Sequence, residues 1–304
     1  IKDSGEQADD AKGKFSGFTS VLSGMGTALK AAAAATAAAV AGAATAIGAL
    51  TTKAIEGYAA QEQLVGGVET LFKTSSDTVV GYANDAYKTA GMSANEYMET
   101  VTSFSASLLA SMNNDTAAAA EKANVAITDM SDNANKMGTD ISLIQNAYNG
   151  FAKQNYTMLD NLKLGYGGTK EEMQRLLDDA SKLSGIKYDI SSYSDVVDAI
   201  HVVQTEMGIT GTTAKEASTT IEGSVSSMSS AWDNWVAGMA DSEANFSQLT
   251  SNLVDSIVTV VGNIAPRVIE TVPRLVSGLG EIVEQLATYI PQVIQELLPP
   301  LMSG

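Results

Sequence analysis

The sequence has no cysteine and a single histidine, His201. Without cysteine, the chain can form neither a disulfide framework nor a thiolate metal site. One histidine also excludes a multi-histidine metal centre within one chain. Aromatic residues make up 6% and charged residues 17% of the 304 residues, so few large side chains are available for a thick core. The abundant small residues, alanine above all, favour closely packed helices instead.

Basic residues are also scarce: 18 Lys and Arg stand against 35 Asp and Glu, which gives a net charge of −17. A surface of that sign repels nucleic acid and lacks the cationic footprint that phosphate binding needs. We therefore expect DNA that meets this protein to pass without specific binding. The chain does not begin with Met and stops after an apolar run, and we expect it to be a fragment of a longer polypeptide.

Residues 1–53 are predicted to form an Ala-rich helical or coiled-coil segment. Apolar and small residues recur there at spacings of three and four, which is the heptad pattern of helix-to-helix packing. A low-complexity Ala linker with helical propensity is the alternative. The uncharged run 31–52 is long enough to span a bilayer, but it is less apolar than a Leu/Ile span. The predicted packing seam begins with Phe15, Phe18, Leu22, Met25 and Leu29.

Residues 54–223 are predicted to form a compact helical core domain. Three Ser/Thr-x-x-Glu capping boxes mark helix starts in this region. Amphipathic stripes of helical period follow them, and the alternation expected of strands is not sustained anywhere. The three boxes pair Ser93 with Glu96, Thr169 with Glu172, and Thr213 with Glu216.

Residues 224–304 are predicted to form long amphipathic helices followed by an apolar, proline-containing helical repeat. Trp232 and Trp235 share one apolar stripe, which indicates burial in a helix interface rather than an exposed recognition surface. All five prolines lie beyond residue 265, and the PRVI run at 266–269 is echoed by PQVI at 291–294. Such a repeat is typical of kinked helices in series. A membrane-active segment is the alternative, although prolines and glutamates argue against a simple span. The fold class is all-α.

No group of residues points to catalysis, and we predict that the chain is not an enzyme and holds no cofactor or metal. His201 lies beside the apolar stripe of its helix, which indicates a partly exposed structural histidine rather than a general base. The Gly-rich run at 165–170 lacks the GxxxxGK[ST] order of a phosphate loop, and we interpret it as a flexible turn. Adjacent acids at 171–172 and 178–179 are expected to face solvent. The aspartates at 129, 132 and 140 lack the spacing of a calcium loop.

Long runs in the middle of the chain resemble the core region of tape measure proteins from long-tailed phages and prophages of Gram-positive bacteria. Together they cover about residues 60–240. They are QLVGGVETLFK at 63–73, AGMSANEYMETVTSFSASLL at 90–109, AITDMSDNANKMGTD at 126–140, NAYNGFAKQNYTMLDNLKLGYGGTKEEMQRLLDDA at 146–180, and TTAKEASTTIEGSVSSM with SAWDNW within 211–235.

The resemblance implies a virion structural protein in the lumen of the tail tube and at the tail tip. Such a protein sets tail length during assembly, leaves ahead of the genome at infection and assists DNA passage into the host. The implied partners are other copies of the chain in a small oligomer, taken as a trimer, together with the tail tube protein, tail tip or distal tail proteins, tail assembly chaperones and the host membrane. A helix rises about 1.5 Å per residue, so chain length converts linearly into a ruler. A membrane-inserting, pore-forming helical protein is the alternative function, and a cell-wall hydrolase is a third.

Overall fold

The computed structural model describes residues 37–267 and residue 274, and it gives side-chain burial from residue 49 onward. Every regular element in this part of the chain is a helix, which confirms the all-α prediction for these residues. The proline-containing repeat beyond residue 267 lies outside the described residues. So does the predicted packing seam of Phe15, Phe18, Leu22, Met25 and Leu29.

Ten α-helices follow one another along this part of the chain. Two 3-10 turns, Lys73–Ser75 and Leu159–Leu162, stand between them. The helices are α1 Ala37–Phe72, α2 Ser76–Thr89, α3 Ala94–Ser111, α4 Thr116–Met137, α5 Ile141–Phe151, α6 Lys170–Ser184, α7 Tyr193–Glu206, α8 Thr212–Thr219, α9 Ile221–Gly238 and α10 246–267.

Two of the predicted capping boxes begin helices, and they do so differently. At α3 the box is complete: the Ser93 hydroxyl accepts from the Glu96 amide, and the Glu96 carboxylate accepts from the Ser93 amide at 2.8 Å. At α6 only half of the box forms, with the Thr169 hydroxyl accepting from the Glu172 amide at 3.2 Å. The Glu172 carboxylate instead accepts from the Gly167 amide at 3.0 Å. Local side-chain oxygens thus supply acceptors for otherwise unpaired N–H groups at both helix starts.

Helix α4 is the centre of the helical unit, since it packs against α1, α2, α3, α5, α7 and α8. Its inward face carries four alanines whose exposure is 0%, and these allow the surrounding helices to approach closely. Larger side chains from the neighbouring helices fill the rest of the core, and burial of this apolar surface is the main force that holds the helices together. The four alanines are Ala119, Ala120, Ala123 and Ala126, and the largest fully buried side chains include Phe72, Tyr97, Met98, Tyr148 and Phe151.

Helices continue across both of the predicted domain boundaries. Helix α1 continues through residue 53, and α9 begins two residues before 223 and packs against α1. One compact unit extends to Ile257, and a second begins at Val258, of which residues 258–267 are described as helix. Within the described residues, no helix is long and apolar enough to cross a membrane.

Candidate functional site: a buried polar turn in the central helix

One turn of α4 places three polar side chains inside the protein. Asp129 is 1% exposed, and Asp132 and Asn133 are fully buried at 0%. Their spacing of three and four residues puts them on one side of the helix. A buried carboxylate or amide is costly unless it is paired or hydrogen-bonded. Each of these side chains accordingly contacts a different, distant segment of the chain.

Asp129 binds His201 on α7. The His201 Nδ1 atom lies 3.0 Å from Asp129 Oδ1 and 2.9 Å from Oδ2, and the imidazole remains 37% exposed. The hydrogen bond to Asp129 raises the pKa of His201, although burial acts in the opposite direction. Burial raises the pKa of Asp129, and the hydrogen bond from His201 opposes that rise. An ion pair between Lys122 and Asp198 joins the same two helices.

This pair contains two of the three groups of a nucleophile–histidine–carboxylate triad. A triad also needs a nucleophile in contact with the other ring nitrogen. Among the described residues, the hydrogen bonds of the His201 ring are those from Nδ1 to Asp129. In this arrangement the carboxylate and the imidazole hold α4 against α7.

Asp132 provides the N-terminal cap of α8. Its carboxylate accepts from the Gly211 amide at 2.5 Å and from the Thr213 amide at 2.8 Å. Gly211 precedes α8 at φ 83°, in the left-handed region that glycine tolerates. The predicted capping box of Thr213 and Glu216 is therefore wrong. The amides at the start of α8 donate to the Asp132 carboxylate of α4, and not to the Thr213 side chain. The Thr213 hydroxyl is buried without a hydrogen-bond partner, and the Glu216 carboxylate accepts from Asn135 instead.

Asn133 holds the 3-10 turn Leu159–Leu162 against α4. Its side-chain amide donates to the Leu162 carbonyl at 3.0 Å. Asp140, further along the chain, caps α5 by accepting from the Ser142 amide at 2.8 Å. Asp129, Asp132 and Asp140, which lack the spacing of a calcium loop, therefore each contact a different part of the chain. Among the described residues, no group of three or more His, Cys, Asp or Glu is arranged to hold a metal ion.

The Gly-rich loop 165–170 forms a turn that ends at the Thr169 cap, and several contacts join it to α6. Arg175 donates to the Gly165 carbonyl at 2.8 Å and stacks 4.3 Å from the centre of the Tyr166 ring. A side chain at Gly168 would meet the Thr157 carbonyl oxygen at 2.3 Å, so only glycine fits this close approach. These contacts tie the loop to the start of α6.

The adjacent acids of α6 lie on its surface, and two of them form ion pairs. Glu172 pairs with Arg175 at 2.5 Å, and Asp179 pairs with Lys182 at 2.8 Å. These two carboxylates are partly buried, while their neighbours Glu171 and Asp178 are exposed. Hydrogen bonds from the basic partners lower the pKa of Glu172 and of Asp179. The paired acids are thus part of the surface of α6.

Trp232 and Trp235 lie half-buried on α9 with ring centroids 5.3 Å apart. The Trp235 ring also stacks on Phe246 of α10 at 5.5 Å, and its indole N–H donates to the Thr250 hydroxyl at 3.1 Å. Trp235 therefore contacts the first turns of α10, while the ring contact of Trp232 is with Trp235.

A groove of about 660 Å³ lies beside the Trp232 ring and is lined by α1, α2, α3, α9 and the start of α10. Burial raises the pKa of Asp233 in this groove, and the charge of Glu96 adds to the rise. Its walls mix amide and carboxylate side chains with apolar ones such as Val80, Trp232 and Leu249. Its carboxylates are those of Glu56, Asp233, Asp241 and Glu243.

Sequence reasoning missed the polar turn of α4. Its signal is a set of polar residues at inward-facing positions on a helix whose other buried positions are mostly alanine, with Ile127 and Met130 beside Asp129. The partners lie far away in sequence: Leu162 is 29 positions from Asn133, His201 is 72 positions from Asp129, and Thr213 is 81 positions from Asp132. Comparison of the chain with protein-family models, with curated proteins and with solved structures gives no match.

Proposed function

We propose that this chain is part of a phage tail tape measure protein, which lies in the tail tube, sets tail length during assembly and leaves ahead of the DNA. The main support for the proposal is that a long helix, α1, is continuous with the helical unit. Helix α1 has 36 residues, which corresponds to a length of about 54 Å. From residue 49 onward, its first buried position is Ala54.

The segments that resemble tape measure proteins also support the proposal. The run 126–140 contains the polar turn of α4 and the cap of α5, and the run 146–180 contains the fixed loop before α6. These runs therefore include the residues whose side chains hold the unit in its fold. A structural role explains why these segments carry polar contacts between helices rather than a reactive group.

In this proposal, the Ala-rich segment 1–53 contributes to the ruler and the helical unit contacts a tail end. The heptad seam beginning at Phe15 joins copies of the chain into a trimer inside the tube, because apolar residues in heptad spacing favour bundles of a few helices. The net charge of −17 allows DNA to follow through the tube without binding.

Tail length tests the proposal directly. Removing four heptads, residues 22–49, in frame from the full gene is expected to shorten tails by about 42 Å. Duplicating the same residues is expected to lengthen tails equally, as measured by electron microscopy of many particles. The matched control replaces 22–49 with an unrelated heptad sequence of the same length, which leaves tail length unchanged. Tails of normal length after the deletion would show that this segment is not part of the ruler.

A second assay addresses the alternative of a pore-forming protein. The purified chain is mixed with dye-loaded liposomes and, separately, with the tail tube protein during tube assembly. A tape measure segment is expected to co-assemble with the tube protein and to leave the liposomes intact. Dye release without co-assembly would favour the pore-forming function.

A further inference from the structure

The groove beside Trp232 carries more acidic groups than its own bases can neutralise. Its lining holds four carboxylates but a single ammonium group, that of Lys53. Within the described part of the chain, the carboxylates of Glu56, Asp233 and Glu243 take part in no ion pair. The ion-paired acids of α6, by contrast, have basic partners on the same helix. The groove therefore presents an excess of negative charge to a molecule that enters it.

Aromatic and amide side chains line the groove beside these carboxylates. The Trp232 indole forms part of the lining, together with several Asn and Gln side chains. The face of an indole attracts a cation, and a side-chain amide both donates and accepts hydrogen bonds, as the peptide groups of a ligand require. Val80 and Leu249 add apolar surface for the aliphatic stem of a long basic side chain. The lining therefore offers complementary groups to each part of a basic peptide segment.

Hydrogen bonds and close packing join the walls of the groove to one another. The Asn95 side-chain amide donates to the Gly57 carbonyl of α1 at 3.0 Å, and the Asn234 side-chain oxygen of α9 accepts from the Ala94 amide at 2.7 Å. A Cβ atom at Gly57 would lie 3.2 Å from the Cβ atom of Ala237, so α1 and α9 are in close contact there. A site whose walls are already held in place loses less free energy to ordering when a ligand binds.

We propose that this groove receives an arginine-containing peptide segment of a protein partner. A guanidinium group is planar, so it stacks on the Trp232 indole and donates to the carboxylates of Glu56 and Asp233. The volume of about 660 Å³ holds such a side chain and the peptide groups next to it. An anion such as nucleic acid is repelled, and a neutral glycan leaves the carboxylates without a countercharge. The proposal concerns the helical unit itself and does not depend on a place in a phage tail.

The direct test is titration of the 304-residue chain, labelled with 5-fluorotryptophan, with the peptide acetyl-Gly-Arg-Gly-Arg-Gly-amide. The chain has two tryptophans, so Trp235→Phe assigns the ¹⁹F resonance of Trp232. We expect that resonance to shift on binding. The control peptide carries citrulline, which keeps the shape of arginine but not its charge, and is expected to bind at least about tenfold more weakly. Equal binding of the two peptides, no shift with the arginine peptide, or a shift caused only by a neutral chitooligosaccharide would overturn the proposal.

Charge-matched variants separate the groove from the net negative charge of the whole chain. Glu56→Gln with Asp233→Asn neutralises two carboxylates of the groove, and Glu171→Gln with Asp178→Asn neutralises two exposed carboxylates of α6. The groove variant is expected to bind the arginine peptide about tenfold more weakly, whereas the α6 variant keeps its affinity within about twofold at physiological salt. The urea midpoint shows that both variants remain folded. Equal affinities of the two variants would overturn the proposal, because attraction to the acidic chain as a whole would then explain the binding.

Discussion

Helices α4 and α6 use their polar residues in opposite ways. Helix α6 buries only apolar side chains, and its charged residues pair with neighbours three positions along the same helix. Helix α4 turns Asp129, Asp132 and Asn133 inward, and each of them reaches a separate segment of the chain. Burial of apolar side chains therefore holds α6 in place, and its ion pairs lie on its surface. Helix α4 positions its neighbours through directed polar contacts.

The difference teaches which interactions decide the arrangement of the helices. Apolar burial brings helices together without a preferred direction, whereas a buried hydrogen bond fixes which atoms meet. The loop before α8 and the turn Leu159–Leu162 both depend on one turn of α4. Changes in that turn are therefore expected to cost more than changes on the surface of α6.

The largest effect is expected for Asp132→Ala. The substitution leaves the amides of Gly211 and Thr213 without an acceptor at a fully buried position. Loss of a buried, charge-assisted acceptor is expected to lower the free energy of unfolding by about 2–4 kcal/mol. Urea denaturation followed by circular dichroism measures it. The control is Asp140→Ala, which removes an exposed helix cap and is expected to cost about 1 kcal/mol. Equal losses would show that burial of Asp132 adds nothing.

A smaller effect, dependent on pH, is expected for the Asp129–His201 pair. The folded-state pKa of His201 is raised, chiefly by the hydrogen bond to Asp129. Its stabilisation is therefore complete below about pH 6.5 and is lost as pH rises through the raised pKa. The pKa of Asp129 is also raised, chiefly by burial, so its ionisation likewise weakens the fold as pH rises. Nearby, the charge of Asp198 raises the pKa of His201 and that of Lys122 lowers it.

The measurement compares the urea midpoint at about pH 6 and about pH 8.5, on either side of the ordinary histidine pKa. The wild-type chain is expected to be more stable at the lower pH. His201→Gln is expected to remove most of that difference, because the chain has one histidine and no cysteine to titrate in this range. A wild-type midpoint that rises with pH would contradict the assigned sign.

The same contrast explains what the sequence could predict. The stripe of α6, its Thr169 cap and its end at Gly185 follow from local spacing, and the structure has all three. The Thr213 box has the same local pattern, yet Asp132 takes the place of the capping side chain. The packing of the chain brings Asp132 close to the start of α8, although 81 positions separate it from Thr213. The periodicity of the sequence cannot predict this contact between Asp132 and the start of α8.

The contact between Asp129 and His201 could not be predicted from the sequence for a related reason. Asp129 and His201 were each interpretable alone, as a polar helix residue and a partly exposed histidine. Their pairing depends on how α4 and α7 cross, which is a property of the folded chain.

The smallest loss of stability is expected for Lys182→Ala. The corresponding substitution on α4 is Lys122→Ala, and the two losses can be compared directly. Lys182 pairs with Asp179 within α6 and is 76% exposed, so water screens the pair and replaces it easily. Its removal is expected to leave the urea midpoint unchanged within error. Lys122 pairs with Asp198 across two helices and is 23% exposed. Lys122→Ala is therefore expected to cost up to about 1 kcal/mol.

Both variants remove one ammonium group from one carboxylate, so they differ mainly in burial and in whether the pair joins two helices. High salt provides the control, because screening weakens an exposed pair more than a partly buried one. If Lys122→Ala keeps its cost at high salt, the pair helps to hold α4 against α7. If the two lysines behave alike, charge pairs between helices have no special role. The contrast between α4 and α6 would then depend on the fully buried residues Asp129, Asp132 and Asn133 alone.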